Sequence, residues 1–271
     1  GPLMHLTVVG LVLLFFLGVK DDILVLSPLK KMLVQIGCAG LLIVGADLRI
    51  DNFFGIFGWH EIPYLLSVPL TVFVFIALIN AMNLIDGIDG LAGGIGLIAS
   101  GTFGLWFYLN KQYALASMCA SMCGALLGFL RFNFSRTSKV FMGDTGSLIV
   151  GFLLTVFAVK FIHLNVTYRF DANAYFSAPI LAIVVLIVPI FDTLRVFIIR
   201  LLAKKDPFTA DRNHIHHLLL AQGFSHLTAS LILCGCTVAV TALFLVIHNS
   251  FTNTQSLLML LVLFLGYMYA G

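Results

Sequence analysis

Long apolar segments fill most of this chain, and they constrain its fold more than any other feature. Hydrophobic residues make up 61% of the sequence and charged residues only 10%, whereas a soluble domain carries about 25% charged residues. Apolar runs of about 18 residues or more are typical of transmembrane helices. They lack the polar–apolar alternation of membrane barrels. The sequence therefore predicts an all-α fold, a polytopic transmembrane helical bundle.

The apolar segments predict about nine membrane spans. The predicted spans are 4–19, 31–46, 63–81, 91–109, 113–131, 146–163, 176–200, 227–248 and 253–270. Most lysine and arginine residues fall in the loops on one side of this arrangement, among them Lys30, Lys31 and Arg136. Because cytoplasmic loops are enriched in basic residues, we expect that side to be cytoplasmic. An odd number of spans then puts the N-terminus outside and the C-terminus in the cytoplasm.

The domain organisation follows from the same pattern. Residues 4–271 form one predicted membrane domain, since no polar stretch is long enough to build a soluble core. Residues 1–3 precede a methionine and look like the remnant of a cleaved tag. The net charge of +3 is too small to indicate nucleic-acid binding. Gly124 and Gly128 share a spacing that lets helices pack closely, either within the protein or in a dimer; packing inside the protein is the more common outcome and is the one we expect.

Four short polar stretches interrupt the apolar segments. They cover residues 20–22, 80–90, 141–147 and 211–217. Each lies at the end of a predicted span, and simple alternation of the spans puts all four on the cytoplasmic side. Carboxylates near a bilayer are costly unless they are paired, hydrated or metal-bound, so an acidic cluster in this position indicates a functional site.

The carboxylates and amides of the second stretch suit a magnesium site. Asn80, Asn83, Asp86 and Asp89 are spaced three apart, so on a helix they would share one face. Mg²⁺ prefers oxygen ligands and takes substrate phosphates as its remaining ligands. The competing interpretation of this stretch is a capped, solvated loop.

Two other aspartate motifs leave alternatives open. Asp21 and Asp22 are adjacent, so on a helix they point in different directions and can serve different roles. A charge pair that faces water is the alternative for them. Asp144 precedes the sixth predicted span, where an aspartate is a common N-cap residue. The amides at the same helix start can also hold a phosphate.

The histidines of the fourth stretch suit an anion better than a metal ion. His214 and His217 would share a helix face, but zinc would need further ligands at matched spacing. We expect these two and His216 to donate hydrogen bonds to a diphosphate; a solvated cluster is the alternative. Within the seventh span, Asp192 and Arg195 are spaced for an ion pair, which we interpret as structural.

Taken together, the four stretches resemble the polyprenyl-phosphate N-acetylhexosamine-1-phosphate transferases of glycosyltransferase family 4. The shared motifs are Asp-Asp after a span, Asn-x-x-Asn-x-x-Asp-Gly-x-Asp-Gly-Leu, Phe-Met-Gly-Asp-x-Gly-Ser and His-Ile-His-His, in family order. The resemblance implies a Mg²⁺- or Mn²⁺-dependent enzyme that transfers a sugar 1-phosphate from a UDP-sugar to a membrane polyprenyl phosphate and releases UMP. In bacteria the acceptor is undecaprenyl phosphate in the inner (plasma) membrane, and the site faces the cytoplasm.

The resemblance also implies residue roles. Asp21 or Asp22 would be the general base or the acceptor-site carboxylate, and Asp89 would belong to the catalytic group. The implied metal site consists of Asp89 and Asp144, with Asn83 and Asp86 beside them. The implied substrate contacts are Lys31 and Gln35 at the acceptor phosphate, Asn133 and Phe141 at the nucleotide, and His214, His216 and His217 at the diphosphate.

The histidine motif narrows the expected donor. His-Ile-His-His is similar to the branch that uses UDP-N-acetylglucosamine, whereas the branch that uses UDP-N-acetylmuramoyl-pentapeptide typically has three consecutive histidines. We therefore expect transfer of N-acetylglucosamine 1-phosphate, which initiates O-antigen, enterobacterial-type antigen or teichoic-acid-like glycans. Family members have about two further spans before the Asp-Asp pair, and a homodimer is common among them. The competing predictions are a cation-coupled transporter, which the one-sided polar groups disfavour, and an inactive membrane scaffold.

Overall fold

A computed structural model describes residues 1–168, 173–204 and 214–269 of the chain. These residues form helices joined by short connections, a 3₁₀ turn at His248–Ser250 and one two-stranded hairpin. The helices are α1 (Pro2–Leu24), α2 (Pro28–Ala46), α3 (Tyr64–Leu84), α4 (Leu91–Leu109), α5 (Tyr113–Asn133), α6 (Gly143–Thr167), α7 (Ala178–Val185), α8 (Ile187–Leu202), α9 (Ile215–Ala221), α10 (His226–Ile247) and α11 (Asn253–Tyr269). The strands are β1 (Asn52–Ile56) and β2 (Trp59–Glu61). The predicted helical bundle is confirmed.

The length and apolarity of the helices determine how many could span a membrane. Within the described residues, seven helices are long and apolar enough to cross a membrane, namely α1 to α6 and α10. Helices α7 and α8 meet at a bend of 78° and would together make an eighth span. The ninth predicted segment coincides with α11, whose 17 residues fall short of the about 20 that a typical span needs. Nine spans and the orientation of the termini stay predictions.

Helix α6 lies at the centre of the bundle. It packs against α1, α3 and α4, and most of its side chains are buried, which fits a sequence that is apolar on all sides. Helix α1 approaches α6 so closely that a Cβ on Gly18 would overlap the backbone of Thr145. Only glycine permits this approach. Gly18 therefore fixes how Asp21 and Asp22 lie relative to the start of α6.

The seventh predicted span, 176–200, is not one straight helix. It breaks between α7 and α8 at Leu186, where the chain turns by 78°. Pro189 explains the break, because its nitrogen carries no hydrogen and cannot donate to the carbonyl of Val185. The prediction of an uninterrupted span is wrong here.

The hairpin was not predicted from the sequence, where it lies between the second and third predicted spans. Phe57 and Gly58 form its turn, and both have a positive φ, as a tight two-residue hairpin turn requires. The side-chain amide of Asn253 donates to the carbonyl of Phe54 at 2.7 Å, and the Phe57 amide donates to the Thr254 hydroxyl at 2.8 Å. The hairpin joins α2 to α3 and is fastened to the start of α11. It therefore lies at the end of the bundle opposite to the described residues of the four polar stretches.

One face of α5 packs on no other described element. Outside α5, no atom of the described residues lies within 4 Å of a Cβ added to Gly124 or Gly128. The expectation that these glycines mediate close packing inside the protein is therefore wrong for the part of the chain that the structure describes. A homodimer stays a prediction.

Candidate active site

The ends of α1 and α3 and the start of α6 meet at one end of the bundle, and each carries one of the predicted polar stretches. Asp22 of α1 reaches the first turn of α6. Its Oδ1 accepts a hydrogen bond from the Asp144 amide at 2.8 Å, and its Oδ2 accepts from the Thr145 hydroxyl at 2.6 Å and amide at 3.2 Å. The first amides of a helix lack partners within the helix, and a carboxylate there suits the helix dipole. Asp22 therefore caps α6.

Asp144 is the second residue of α6, so its interpretation as the N-cap is wrong. Asn83 of α3 donates to Asp144 Oδ1 at 2.5 Å and to the Ser147 hydroxyl at 2.8 Å. The ammonium of Lys31 lies 3.4 Å from Asp144 Oδ2. The Asp144 side chain is nevertheless 31% exposed, so its carboxylate is held in place and still open to a ligand.

Asp21 has different partners from its neighbour. It is buried, forms an ion pair with Lys31 and accepts a hydrogen bond from the Leu26 amide at 2.6 Å. This confirms the prediction that the two adjacent carboxylates point in different directions. Lys31 contacts both Asp21 and Asp144, so one cation lies between two acids that would otherwise repel each other.

Amide side chains support the site from within the bundle. Gln35 is fully buried and exchanges hydrogen bonds with Asn80, at 2.8 Å and 3.4 Å. This places Gln35 behind the site, bonded to another side chain. Helix α3 ends before Asp86, so Asn80 and Asn83 lie on the helix whereas Asp86 and Asp89 lie in the turns that follow. The prediction of one helical face shared by all four is wrong for the two aspartates.

Asp86 lies where negative charges accumulate. Burial raises the pKa of Asp86 to about 7; the charges of Asp144, Asp22 and Asp89 act in the same direction, and a hydrogen bond from the Gly143 backbone opposes them. A cation bound here would offset this excess of negative charge. The described residues contain no preformed group of three or more metal-binding side chains. Mg²⁺ needs no such group, because it is usually held through one or two carboxylates and substrate phosphates, so the oxygen donors present fit it.

Asp89 is paired with basic side chains from two other parts of the chain. Its Oδ2 lies 2.7 Å from the Lys139 ammonium and 3.2 Å from Nδ1 of His226. Lys139 also lies 5.2 Å from the centre of the Phe141 ring, a cation–π distance. Phe141 is 72% exposed. Its ring is therefore accessible to a planar partner such as a nucleotide base.

Asn133 connects the Phe141 loop to the Asp86–Asp89 turns. It is buried at the end of α5. Its Oδ1 accepts a hydrogen bond from the Gly90 amide at 2.7 Å, and its Nδ2 donates to the Val140 carbonyl at 2.8 Å. Asn133 thus holds two loops of the site together, one on each side of its amide.

The three histidines cluster at the start of α9, and residues 211–213 of their stretch lie outside the described residues. His214 Nδ1 is 2.7 Å from Asp192 Oδ2, and both side chains are buried. The rings of His214 and His216 are parallel within 11°. His216 is enclosed against Gly87, where an added Cβ would overlap its imidazole. Burial lowers the pKa of His216 to about 4, helped by the neighbouring His217, so His216 is neutral at pH 7.

Part of this site gave no clear signal in the sequence. The site residues that sequence reasoning did not assign are Thr145, Ser147, Lys139, Asp192 and His226. Asp192 had the best signal, because a carboxylate inside an apolar span is functional by default. The other four are hydroxyl and basic residues at helix ends or in loops, where such residues are common.

Sequence comparisons agree with the resemblance seen in the motifs. Residues 4–162 match the family described as glycosyl transferase family 4. A protein of Bacillus subtilis (strain 168), named "Probable undecaprenyl-phosphate N-acetylglucosaminyl 1-phosphate transferase", is 35% identical over 247 residues, 88% of this chain and 64% of the relative. The undecaprenyl-phosphate alpha-N-acetylglucosaminyl 1-phosphate transferases of Yersinia pestis and Escherichia coli (strain K12) are both 32% identical. Those matches cover 96% and 78% of this chain, and 70% and 57% of the relatives.

Proposed function

The chain belongs to glycosyl transferase family 4, and we propose that it transfers N-acetylglucosamine 1-phosphate from UDP-N-acetylglucosamine to undecaprenyl phosphate. The names of its relatives in Bacillus, Yersinia and Escherichia contain this acceptor and this sugar. The chain spans 57% to 70% of the length of these relatives. Its own activity is therefore a proposal, and the contacts within its site support it.

The observation that carries the proposal is the contact of Lys31 with both Asp21 and Asp144. Both substrates of this reaction are anionic and must come close together. The site therefore needs a cationic side chain that can bind phosphate oxygens and offset their negative charge. Lys31 is held between two carboxylates at the end of the bundle, where the phosphate of a membrane-anchored lipid would lie. If the Lys31 ammonium binds that phosphate in place of Asp144, the Asp144 carboxylate becomes free for another cation.

The proposed reaction is a direct phosphoryl transfer. An oxygen of the acceptor phosphate attacks the β-phosphorus of the donor; the new P–O bond forms as the bond to the UMP oxygen breaks, and UMP leaves with that oxygen. The acceptor phosphate is largely ionised at neutral pH, so a strong base is less important than charge compensation. Asp22, which accepts three hydrogen bonds from α6, serves in this mechanism to place Asp144.

Mg²⁺ fits the oxygen donors of the site, with Asp144 and Asp89 as the residues that would hold it and Asn83 and Asp86 beside them. When bound, it supplies positive charge that stabilises diphosphate oxygens. The chain's own residues orient these acids: Asn83 holds Asp144, and Lys139 holds Asp89. Phe141 offers an exposed ring to the uracil base, and the histidine cluster behind Gly87 offers imidazole nitrogens to the diphosphate.

The proposed location is the cytoplasmic face of the bacterial plasma membrane. The apolar helices indicate a multi-pass membrane protein, and the site lies at the helix ends where a lipid phosphate is accessible. The loops at that end are rich in lysine and arginine, as cytoplasmic loops are.

A transfer assay tests the proposal. The purified chain in lipid nanodiscs is incubated with radiolabelled UDP-N-acetylglucosamine, undecaprenyl phosphate and Mg²⁺. We expect equal amounts of UMP and lipid-linked sugar phosphate, and loss of both with EDTA. Absence of lipid-linked product with every donor would contradict the proposal, and cation flux in liposomes without transfer would favour a transporter. Product from UDP-N-acetylmuramoyl-pentapeptide in place of UDP-N-acetylglucosamine would move the chain to the other branch.

A further inference from the structure

The carboxylate of Asp192 lies where three helices meet. Its Oδ2 is 2.7 Å from Nδ1 of His214, which precedes α9. Its Oδ1 accepts hydrogen bonds from the Ile215 amide at 2.7 Å and from the Tyr267 hydroxyl of α11 at 3.3 Å. The side chain is 0% exposed. A buried carboxylate is costly unless hydrogen bonds satisfy its oxygens, so these partners are what allow Asp192 to occupy the interior of α8.

The contact with Asp192 determines the protonation of the His214 ring. An ionised carboxylate can only accept hydrogen bonds, so Nδ1 of His214 carries the proton. In the neutral ring Nε2 then has the free lone pair, and in the charged ring Nε2 is a donor. Asp192 therefore selects one tautomer and also fixes the direction of the ring. The same logic applies wherever a buried acid orients a histidine.

Contacts that begin at His214 reach the turns that carry Asp86 and Asp89. The parallel ring of His216 lies 5.5 Å from it, centre to centre, and His216 packs against Gly87. On the opposite side, Tyr267 connects Asp192 to α11, and Phe191 next to Asp192 packs edge-on against an α11 ring, Phe264, at 5.1 Å. A continuous series of contacts thus joins the last described helix to the turn between Asp86 and Asp89.

We infer that Asp192 is the positioning residue of the histidine cluster and that Tyr267 holds Asp192 from α11. Asp192 acts through His214 on the diphosphate of the UDP-sugar, so this inference rests on the proposed function. Without the carboxylate, His214 can adopt either tautomer and rotate, and His216 loses a fixed stacking partner. The ion pair predicted between Asp192 and Arg195 stays a prediction, whereas the contacts of Asp192 with His214, Ile215 and Tyr267 are the ones that support a positioning role.

The first test is Asp192→Asn. The amide keeps the shape of the side chain and an oxygen for Ile215 and Tyr267, but its NH₂ group faces His214 and favours the opposite tautomer. We expect kcat/KM for UDP-N-acetylglucosamine to fall about 10- to 100-fold, the usual effect of removing a group that orients a site residue. The melting temperature should stay close to that of the unaltered chain. Thr193→Val is the matched control, because the hydroxyl of Thr193 has no hydrogen-bond partner among the described residues; it should leave kcat/KM unchanged.

A double-mutant cycle separates positioning from a general structural role. His214→Gln removes the imidazole and keeps a side-chain NH₂ group that can donate to Asp192. If Asp192 acts through His214, Asp192→Asn in the His214→Gln background should change kcat/KM by less than about twofold, because coupled residues are not additive. Tyr267→Phe should lower kcat/KM by about threefold, the loss of one of several hydrogen bonds to Asp192.

The outcomes distinguish this inference from the proposed function. Unchanged kcat/KM in Asp192→Asn, or independent losses that multiply in the double variant, would overturn the positioning role while leaving the transferase proposal intact. An unaltered chain that neither transfers the sugar phosphate nor is thermally stabilised by UDP-N-acetylglucosamine would overturn both. A non-additive cycle with an unchanged melting temperature supports the inference.

Discussion

Asp22 Oδ1 accepts a hydrogen bond from the amide of Asp144 at 2.8 Å across 122 positions of the chain. This contact joins the end of α1 to the first turn of α6. The two carboxylates differ in their surroundings. Both oxygens of Asp22 accept hydrogen bonds from the start of α6, whereas the side chain of Asp144 stays partly exposed. The adjacent Asp21 is bound by Lys31. The paired acids of the first motif therefore hold two different elements in place around the Asp144 carboxylate.

Replacing the capping carboxylate should destabilise the fold. Asp22→Ala leaves the first amides of α6 without their side-chain acceptor, and we expect a loss of about 1 kcal/mol, the typical value of a cap. Asp22→Asn should lose less, because one acceptor oxygen remains. Thermal unfolding in detergent measures both. Lys20→Ala, which alters an exposed charge two residues away, is the control, and an Asp22→Ala variant as stable as that control would contradict the capping role.

Removing the charge of Asp144 should abolish transfer without unfolding the protein. Asp144→Asn keeps a side-chain oxygen for Asn83 but loses the negative charge that would hold a cation, so we expect kcat to fall at least about 100-fold. The matched control is Asp47→Asn at the opposite end of the bundle. Turnover and Mg²⁺ dependence are measured for both variants. Normal turnover in Asp144→Asn would remove this residue from the metal site.

Adding a methyl group at Gly87 should disturb the histidine cluster. A Cβ there would overlap the His216 imidazole, so Gly87→Ala must displace either the ring or the turn. We expect weaker thermal stabilisation by UDP-N-acetylglucosamine and about a tenfold higher KM. Gly101→Ala has open space around its Cβ and should bind the donor normally. Equal donor binding by the two alanine variants would show that His216 does not need its place against Gly87.

The burial of His216 predicts a pH dependence of stability. The ring has a pKa of about 4 in the folded protein against 6.5 in its unperturbed form. Between these values the unfolded state binds more protons than the folded state. The stability contribution is therefore complete above pH 6.5 and is lost as the pH falls towards 4. The melting temperature of the unaltered chain should fall more steeply over this range than that of His216→Gln; parallel curves would argue against a neutral, buried ring.

The helices could be predicted from the sequence because long apolar segments have few other stable structures in a membrane. Each predicted span coincides with a helix or with the α7–α8 pair. The hairpin could not be predicted, since it is short and depends on contacts with Asn253 and Thr254 that are remote in sequence. The bend at Leu186 could not be predicted either. A proline such as Pro189 is tolerated in a membrane helix when neighbouring groups bond the backbone carbonyl that it leaves without a partner.

The sequence predicted which polar stretches lie together, but not all residues of the site and only part of the contacts between them. Motif spacing and alternation of spans indicate which side of the bundle a residue occupies, and the meeting of Asp22, Asn83 and Asp144 confirms that prediction. Which oxygen faces which donor depends on how closely helices approach, as at Gly18, and spacing carries no information on that. The contact of Asp192 with His214 is of the same kind. The metal and substrate roles of these residues stay predictions.

The attachment of the hairpin to α11 limits how the bundle can move. Asn253 and Thr254 bind the strand region that links α2 to α3, so early and late parts of the chain are clamped at that end. The acids and histidines of the candidate site lie at the other end of the bundle. Substitutions that remove these two hydrogen bonds would therefore weaken the connection between the early and late parts of the chain without changing a side chain of the site.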